Sequence, residues 1–271
     1  MSRRMRVWHQ SLTVLEDLPA YRRALEERLT TVCEPGTEVV LHGMAPHTYR
    51  SSYPGADIRY LYFQHLHTIQ ILESVKRAEA EGFDAFVLCT FPDTGFEVAR
   101  TLVDIPVVGL GFASMHMAAY LGSRFGIVCF IPELAPLYAA NAVRYGLREL
   151  AGPVVPIGLS FEEILRGFED PAPVVEAFDR TVRDIAGEGV DVVIPAEAVL
   201  GVLLAREGVS RVDEIPVVDT VAAAIKMAEV LVTLKRTSGM RVARRGYFFA
   251  RPPSERVREL SEFYGVGKWA K

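Results

Sequence analysis

Two short apolar runs in this chain end on residues that can move a proton or hold an anion. The first, Gly82-Phe83-Asp84-Ala85-Phe86-Val87-Leu88, leads into Cys89, Thr90 and Phe91. The second, Gly189-Val190-Asp191-Val192-Val193-Ile194-Pro195, leads into Ala196, Glu197 and Ala198. Their offset of 107 residues pairs Thr90 with Glu197 and Cys89 with Ala196. A glutamate carboxyl starts near roughly 4.3 and rises when buried among apolar neighbours. Tuned towards neutrality, Glu197 is a candidate general acid or base. Its plainer role is a helix cap or an arginine partner. Thr90 has no accessible pKa near neutrality, so it is a candidate for contacting substrate or for capping the helix that follows. Cys89 reads as a small buried hydrophobe, and Cys129, inside Ile127-Val128-Cys129-Phe130, as core. The pair favours one-sided proton chemistry.

The elements that must position these residues follow from periodicity. Strands are expected at 5–10, 38–43, 84–90, 105–110, 125–130, 153–158, 190–196 and 215–219. Helices are expected at 17–32, 62–81, 95–102, 113–121, 134–146, 172–187, 199–206 and 221–236. This alternation means an α/β fold with mainly parallel sheets flanked by helices, whose carboxyl strand ends share an edge. A second repeat matches Ile105-Pro106-Val107-Val108 to Ile215-Pro216-Val217-Val218 at an offset of 110, which also maps Met117-Ala118 onto Met227-Ala228. More weakly, Arg6-Val7-Trp8-His9 resembles Phe125-Gly126-Ile127-Val128. The expected architecture is two pseudo-symmetric lobes with a cleft between them. Lobe 1 spans 1–115, completed by the C-terminal helix and tail 221–271, and lobe 2 spans 116–220.

The chain's 271 residues are 50% hydrophobic and 24% charged, which excludes a disordered chain and gives enough material for such a core. Val107 to Gly122 is interrupted by Ser114 and His116 and falls short of the roughly 20 residues a bilayer requires. Met-Ser-Arg-Arg-Met-Arg is followed by only Val7 and Trp8 before His9, so no signal-peptide core is expected. Three cysteines make no disulfide framework, and the expected location is cytoplasmic. Lys235 to Arg258 carries +7, leaving −11 for the rest of the chain. That acidic body repels nucleic acid. The segment reads as an arm packing Tyr247, Phe248 and Phe249 against the body or a partner subunit, with solvated arginines outside. A homo-oligomer is expected, with no nucleic-acid or membrane partner.

Other signals are weaker. His65 and His67 lie two apart on a helix and do not face the same way, so no metal site is expected. His9 and His42 end strands near the cleft and read as structural histidines or substrate contacts, and His116 as a surface or packing residue. Gly109-Leu110-Gly111 lacks the third glycine of a dinucleotide fingerprint, having Ser114 there. Gly265-Val266-Gly267-Lys268 has Glu262 where a phosphate loop needs its first glycine.

Taken together, several motifs resemble the aspartate/glutamate/hydantoin racemase superfamily, most of all its hydantoin-racemase branch. They are Gly82-x-Asp84, Phe91-x-Asp93-x-Gly95 and Val103-Asp104-Ile105-Pro106-Val107-Val108-Gly109-Leu110-Gly111 in the first half. In the second half they are Gly189-x-Asp191-Val192-Val193-Ile194, Pro216-Val217-Val218-Asp219 and the run from Val221 to Glu229. The resemblance implies two α/β lobes, an active site between them, a small-molecule substrate and no cofactor. Typical members carry a cysteine at each facing strand end, one taking the Cα proton and the other delivering a proton to the opposite face. Those positions are Thr90 and Glu197 here. The family's loop after the first strand holds a carboxylate or imide, which points to Gln10, Ser11 and Thr13. Its lobe-2 counterpart begins at Phe130-Ile131 and implies a more apolar substrate end. Phe91, Ala198 and Thr220 are expected in the pocket wall.

The reading is a cofactor-independent isomerase acting on a small carboxylate, hydantoin or cyclic imide through an enolate-like intermediate. Glu197 is the expected acid/base, and Thr90 with backbone N–H groups near Phe91 and Ala198 would hold the enolate. A hydrolase or decarboxylase using the same cleft stays open, as does a non-catalytic small-molecule binder.

Overall fold

A computed structural model of the chain describes residues 4–266. β1 (Met5–Ser11) lies between β2 (Thr37–His42) and β3 (Ala85–Cys89), and β4 (Val107–Gly109) pairs with the far side of β3, all parallel. A second parallel sheet sets β5 (Phe125–Cys129) between β6 (Ala151–Pro156) and β7 (Val192–Pro195). Val217 adds one parallel bridge to Val193 on the open side of β7. Each sheet therefore has a central strand from which the chain steps first to one side and then to the other. The crevice at the carboxyl ends of β1 and β3, and of β5 and β7, is where such sheets bind ligands.

β3, β5 and β7 are buried along their whole length, as parallel strands covered on both faces must be. The covering helices are α1 (Pro19–Val32), α2 (Gly55–Ile58), α3 (Leu61–Ala80), α4 (Phe96–Leu102), α5 (Leu110–Leu121) and α6 (Ala135–Arg144). They continue with α7 (Phe161–Arg166), α8 (Ala172–Ala186), α9 (Ala198–Arg206), α10 (Thr220–Ser238) and α11 (Ser254–Phe263). α10 starts beside the second sheet, capped by the Asp219 side chain on the Ala222 N–H. It runs back over α5, β3 and β4 of the first sheet.

The Gly-x-Asp repeat has one physical meaning in both halves. Gly82 and Gly189 turn the chain with φ of +77° and +79°, a region open to glycine. The aspartate that follows then accepts a backbone N–H at the start of the neighbouring central strand. Asp84 takes the Arg6 N–H at 2.9 Å, and Asp191 takes the Arg124 N–H at 2.8 Å.

Three expectations are corrected. The strand expected at 215–219 shrinks to β9 (Ile215–Pro216), antiparallel to β8 (Arg211–Val212), because Pro216 has no N–H to continue a ladder. Helices α2, α7 and α11 lie in stretches read as loops, and the first two are too short to show a period. Within the chain the C-terminal arm is built the other way round. Arg244 binds Asp104 and the Arg100 and Val103 carbonyls, and Arg251 binds Asp104 and Glu79. Phe249 lies under the Arg100 guanidinium, whereas Tyr247 is 91% exposed and Phe248 63%. Acids and helix-end carbonyls at this edge offer the guanidinium groups better partners than water does. Gly267 and Lys268 lie outside the described residues. Among the described residues no helix is long and apolar enough to cross a membrane.

His9 and His42 also turn out to be structural. His42 stacks on Trp8 with ring centroids 3.4 Å apart. His9, in the middle of the first sheet, is fully buried with neither ring nitrogen hydrogen-bonded, and burial pushes its pKa down to about 3. Below the ordinary value near 6.5 the unfolded chain takes a proton that the folded chain refuses. Stability from this group is present above pH ~6.5 and is lost as pH falls towards its folded pKa. Thermal unfolding midpoints should therefore drop more steeply between pH 6.5 and 4 in the wild type than in His9→Leu.

Candidate functional site

The ends of β1, β3, β5 and β7 meet around one cavity. Ser11, Leu12 and Thr13 come from the end of β1, and Cys89, Thr90, Phe91 and Pro92 from that of β3. Phe130 and Ile131 follow β5, and Glu197, Ala198 and Val199 follow β7. Tyr21 of α1, the 53–55 turn, Ile58 and Phe161 close the remaining sides. Much of the wall is aromatic. Tyr53 stacks on Phe161 at 4.7 Å, Phe161 neighbours Phe130 at 6.0 Å, and Phe91 meets Tyr138 edge-on at 5.0 Å. No cationic side chain is among the residues that line the cavity.

Glu197 is the charged group in this wall. It stands between β7 and α9 with φ +53°, a backbone conformation that costs a non-glycine residue about 1 kcal/mol or more. Its side chain does not cap its own helix and meets no arginine. Oε1 accepts the Tyr138 hydroxyl at 2.6 Å and Oε2 accepts the Phe130 N–H at 3.0 Å. Burial pushes its pKa up to about 7 against these hydrogen bonds, which pull it down. A carboxyl poised there can give or take a proton near neutrality.

Asp93 is a second buried carboxylate, with φ +54°. It accepts the Gly111 and Phe112 N–H groups at 3.0 and 2.6 Å and the Tyr145 hydroxyl at 2.7 Å, and burial raises it to about 7. It sits at the N-terminus of α5, where a carboxylate satisfies amides that lack an intrahelical acceptor. A Cβ on Gly109 or Gly111 would collide with its carboxylate. The Gly109-x-Gly111 motif thus makes room for Asp93. One face of α6 serves both carboxylates: Tyr138 reaches Glu197, Asn141 donates to the Pro92 carbonyl at 3.2 Å, and Tyr145, just past the helix, reaches Asp93.

The structure brings Glu197, Thr90, Ser11, Phe91, Phe130 and Ala198 to one cavity, with Thr13, whose hydroxyl bonds that of Ser11 at 2.8 Å. It places Gln10 and Thr220 elsewhere. Gln10 is spent inside the fold, donating to the Ser11 and Gly43 carbonyls and accepting from the Trp8 indole. Thr220 opens α10 behind α9, packed against Gly201. Thr90 caps no helix, because α4 starts at Phe96 with Gly95 at its cap. Cys89 borders the cavity, its thiol pushed up by burial. Tyr21, Tyr53, Tyr138 and Phe161 carried no motif. A buried tyrosine one helix away in sequence gives no periodic signal of its own. Among the described residues no group of three or more His, Cys, Asp or Glu side chains could hold a metal ion.

Two parallel α/β sheets whose strand ends enclose a buried acid place the cavity where such sheets bind ligands. The Asp/Glu/hydantoin racemase family model matches residues 20–228, and the chain belongs to that family. A hydantoin racemase from a Pseudomonas species is 31% identical over 194 residues, covering 69% of this chain and 74% of the relative. One from Paenarthrobacter aurescens is 30% identical over 213 residues, covering 75% and 85%. Among solved structures, allantoin racemase from Klebsiella pneumoniae superposes with a TM-score of 0.76 at 24% identity over 92% of this chain and 94% of that one. An aspartate racemase homologue from Pyrococcus horikoshii superposes with a TM-score of 0.56 at 17% identity, over 86% and 100%. These structures share the fold.

The Tyr138 hydroxyl favours the Glu197 carboxylate over its acid, so its loss raises the pKa further. In Tyr138→Phe the titration of Glu197, read as the carboxyl infrared band absent from Glu197→Gln, should move up by about one pH unit, about 1.4 kcal/mol. Linkage gives a second outcome. With a folded pKa of about 7 against an ordinary 4.5, the wild type loses stability as pH rises through this interval. Glu197→Gln escapes the loss and should be more stable at pH 8, by up to about 3 kcal/mol, with the gap closing near pH 5 in scanning calorimetry.

Proposed function

We propose that the protein is an isomerase that moves a proton at a carbon next to a carbonyl, with Glu197 as the acid/base. The observation that carries this reading is the Glu197 carboxyl, buried in the cavity wall and poised near neutrality. As carboxylate it takes the proton and leaves a planar enolate; as carboxylic acid it returns one to the same face, which exchanges the proton, and the other isomer forms when water protonates the opposite face instead. The negative charge that develops on the carbonyl oxygen needs donors already in place. The Thr90 hydroxyl is one. The first amides of α9, Ala198 and Val199, are others, since first-turn amides lack an intrahelical acceptor.

The lining also bears on the substrate. A carboxylate substrate would meet Glu197 with no cation to offset the repulsion, whereas hydroxyls and amides suit the neutral polar atoms of a cyclic imide or hydantoin. The aromatic wall suits an apolar substituent on that ring. The relatives described as hydantoin racemases agree with this choice. Thr90, at the strand end matched to that of Glu197, offers no base of matched pKa. Proton exchange on the Glu197 face should therefore outrun inversion.

Proton NMR of benzylhydantoin and a panel of imides, arylmalonates and amino acids in D₂O tests the reading. Deuterium should enter the carbon next to the carbonyl in the wild type and fail to enter in Glu197→Gln. Exchange that survives in the variant would remove Glu197 from the chemistry. Ring opening or loss of CO₂, read as a net mass change, would replace the isomerase with a hydrolase or decarboxylase.

A further inference from the structure

The donors proposed for the enolate oxygen come from two different sheets. Thr90 follows β3 of the first sheet, whereas the Ala198 and Val199 amides open α9 after β7 of the second. They meet on one oxygen only if the end of β3 is held in a fixed place against the second sheet. Among the described residues the Thr90 hydroxyl has no hydrogen-bond partner to aim it, so its direction follows the backbone it stands on.

That backbone is a tight turn. The Asp93 N–H donates to the Thr90 carbonyl at 3.0 Å, and the Phe96 N–H donates to the Asp93 carbonyl, also at 3.0 Å. Asp93 carries a φ of +54°, a conformation that persists only when its surroundings hold it. Two of the groups on its carboxylate, the Gly111 and Phe112 amides, belong to α5, which follows β4. The third is the Tyr145 hydroxyl at 2.7 Å, one residue past α6, and α6 packs on β6 of the second sheet. The Tyr145 ring is already seated edge-on to Phe112, with centroids 4.9 Å apart. Its hydroxyl is not needed for that packing. What the hydroxyl adds is a bond from the second sheet's helix to the residue that closes the Thr90 turn.

We propose that Tyr145 is a positioning residue: through Asp93 it fixes the turn that carries Thr90, so that the Thr90 hydroxyl and the α9 amides converge on one carbonyl oxygen. It touches neither the substrate nor the moving proton. This rests on the reading of Thr90 as a donor to the oxygen on which charge develops. The demand on geometry is strict, because a group held about 1 Å out of place can lose on the order of 100-fold in rate.

A double-variant cycle on proton exchange reads this role. Deuterium entry into benzylhydantoin is followed for the wild type, Tyr145→Phe, Thr90→Val and the double variant, giving kcat and KM for each. Thr90→Val should lower kcat by about 100-fold, as removal of an oxyanion donor does. Tyr145→Phe should lower kcat by about 10-fold and leave KM within about a factor of two, since only a transition-state contact is disturbed. The double variant should be no slower than Thr90→Val, because a residue that acts by aiming a hydroxyl has nothing left to aim. Losses that multiply, to about 1,000-fold, would overturn the proposal, as would an unchanged kcat in Tyr145→Phe. The Glu197 carboxyl band should titrate in Tyr145→Phe as it does in the wild type. A shifted band would overturn the proposal too, by showing that α6 had moved as a whole and taken Tyr138 with it. If Thr90→Val exchanges at the wild-type rate, Thr90 is no donor and the proposal falls while Glu197 keeps its role. If the wild type exchanges nothing, the isomerase reading itself fails, and the proposal with it.

Discussion

A carboxylate buried without a counter-cation is the constraint around which this molecule is arranged. Glu197 is held by a phenol and by the backbone amides just after β5, which stabilise its charge enough to bring the pKa back to about 7 and no further. An arginine in the same place would hold the group ionised across the whole physiological range. Hydrogen bonds from neutral donors leave both protonation states within reach. The backbone supports this at some expense, since φ at Glu197 is +53° and the side chain must turn back towards the end of β5.

Placing that carboxylate requires both sheets. β7 brings Glu197 to the edge, β5 supplies the Phe130 amide, and α6 supplies the Tyr138 hydroxyl. The same helix reaches the other half of the site through Asn141 and, one residue past its end, Tyr145. Residues three and four apart on a helix share a face, so one rigid element ties the loop after β3 to the acid after β7. The internal repeat makes the two halves alike in backbone, down to the matched glycine turns and the aspartates that hold each central strand. The chemistry placed at the matched ends differs: a hydroxyl at Thr90, a carboxyl at Glu197.

The sequence made Thr90 and Glu197 legible because a repeat in strands is also a repeat in space, and offset alone puts both at the cleft. Ser11, Phe91, Phe130 and Ala198 followed by the same adjacency. Gln10 and Thr220 did not. Gln10 lies inside β1 rather than in the loop after it, Thr220 starts α10 beyond a strand that stops at Pro216, and Trp8, Gly43 and Gly201 claim their side chains. Tyr138 was out of reach, since its partner lies fifty-nine residues away and no local pattern encodes the contact. The α7 start was legible in principle: Ser160 and Glu163 form a reciprocal capping box. In the C-terminal arm, composition showed arginines and aromatics together but not which of the two would find partners on the body.

Asp93, Gly109 and Gly111 show how a steric fit couples separate motifs. The carboxylate occupies the space that a side chain at either glycine would need, and its hydrogen bonds hold the amides at the start of α5. A methyl group gained at Gly109 evicts the carboxylate, one gained at Gly111 runs into the Phe91 carbonyl as well, and losing the carboxylate leaves buried amides unanswered. A change at any one of the three therefore disturbs the fit of the other two. Two motifs separated by a helix, Phe91-x-Asp93-x-Gly95 and Gly109-x-Gly111, are thus one packing unit.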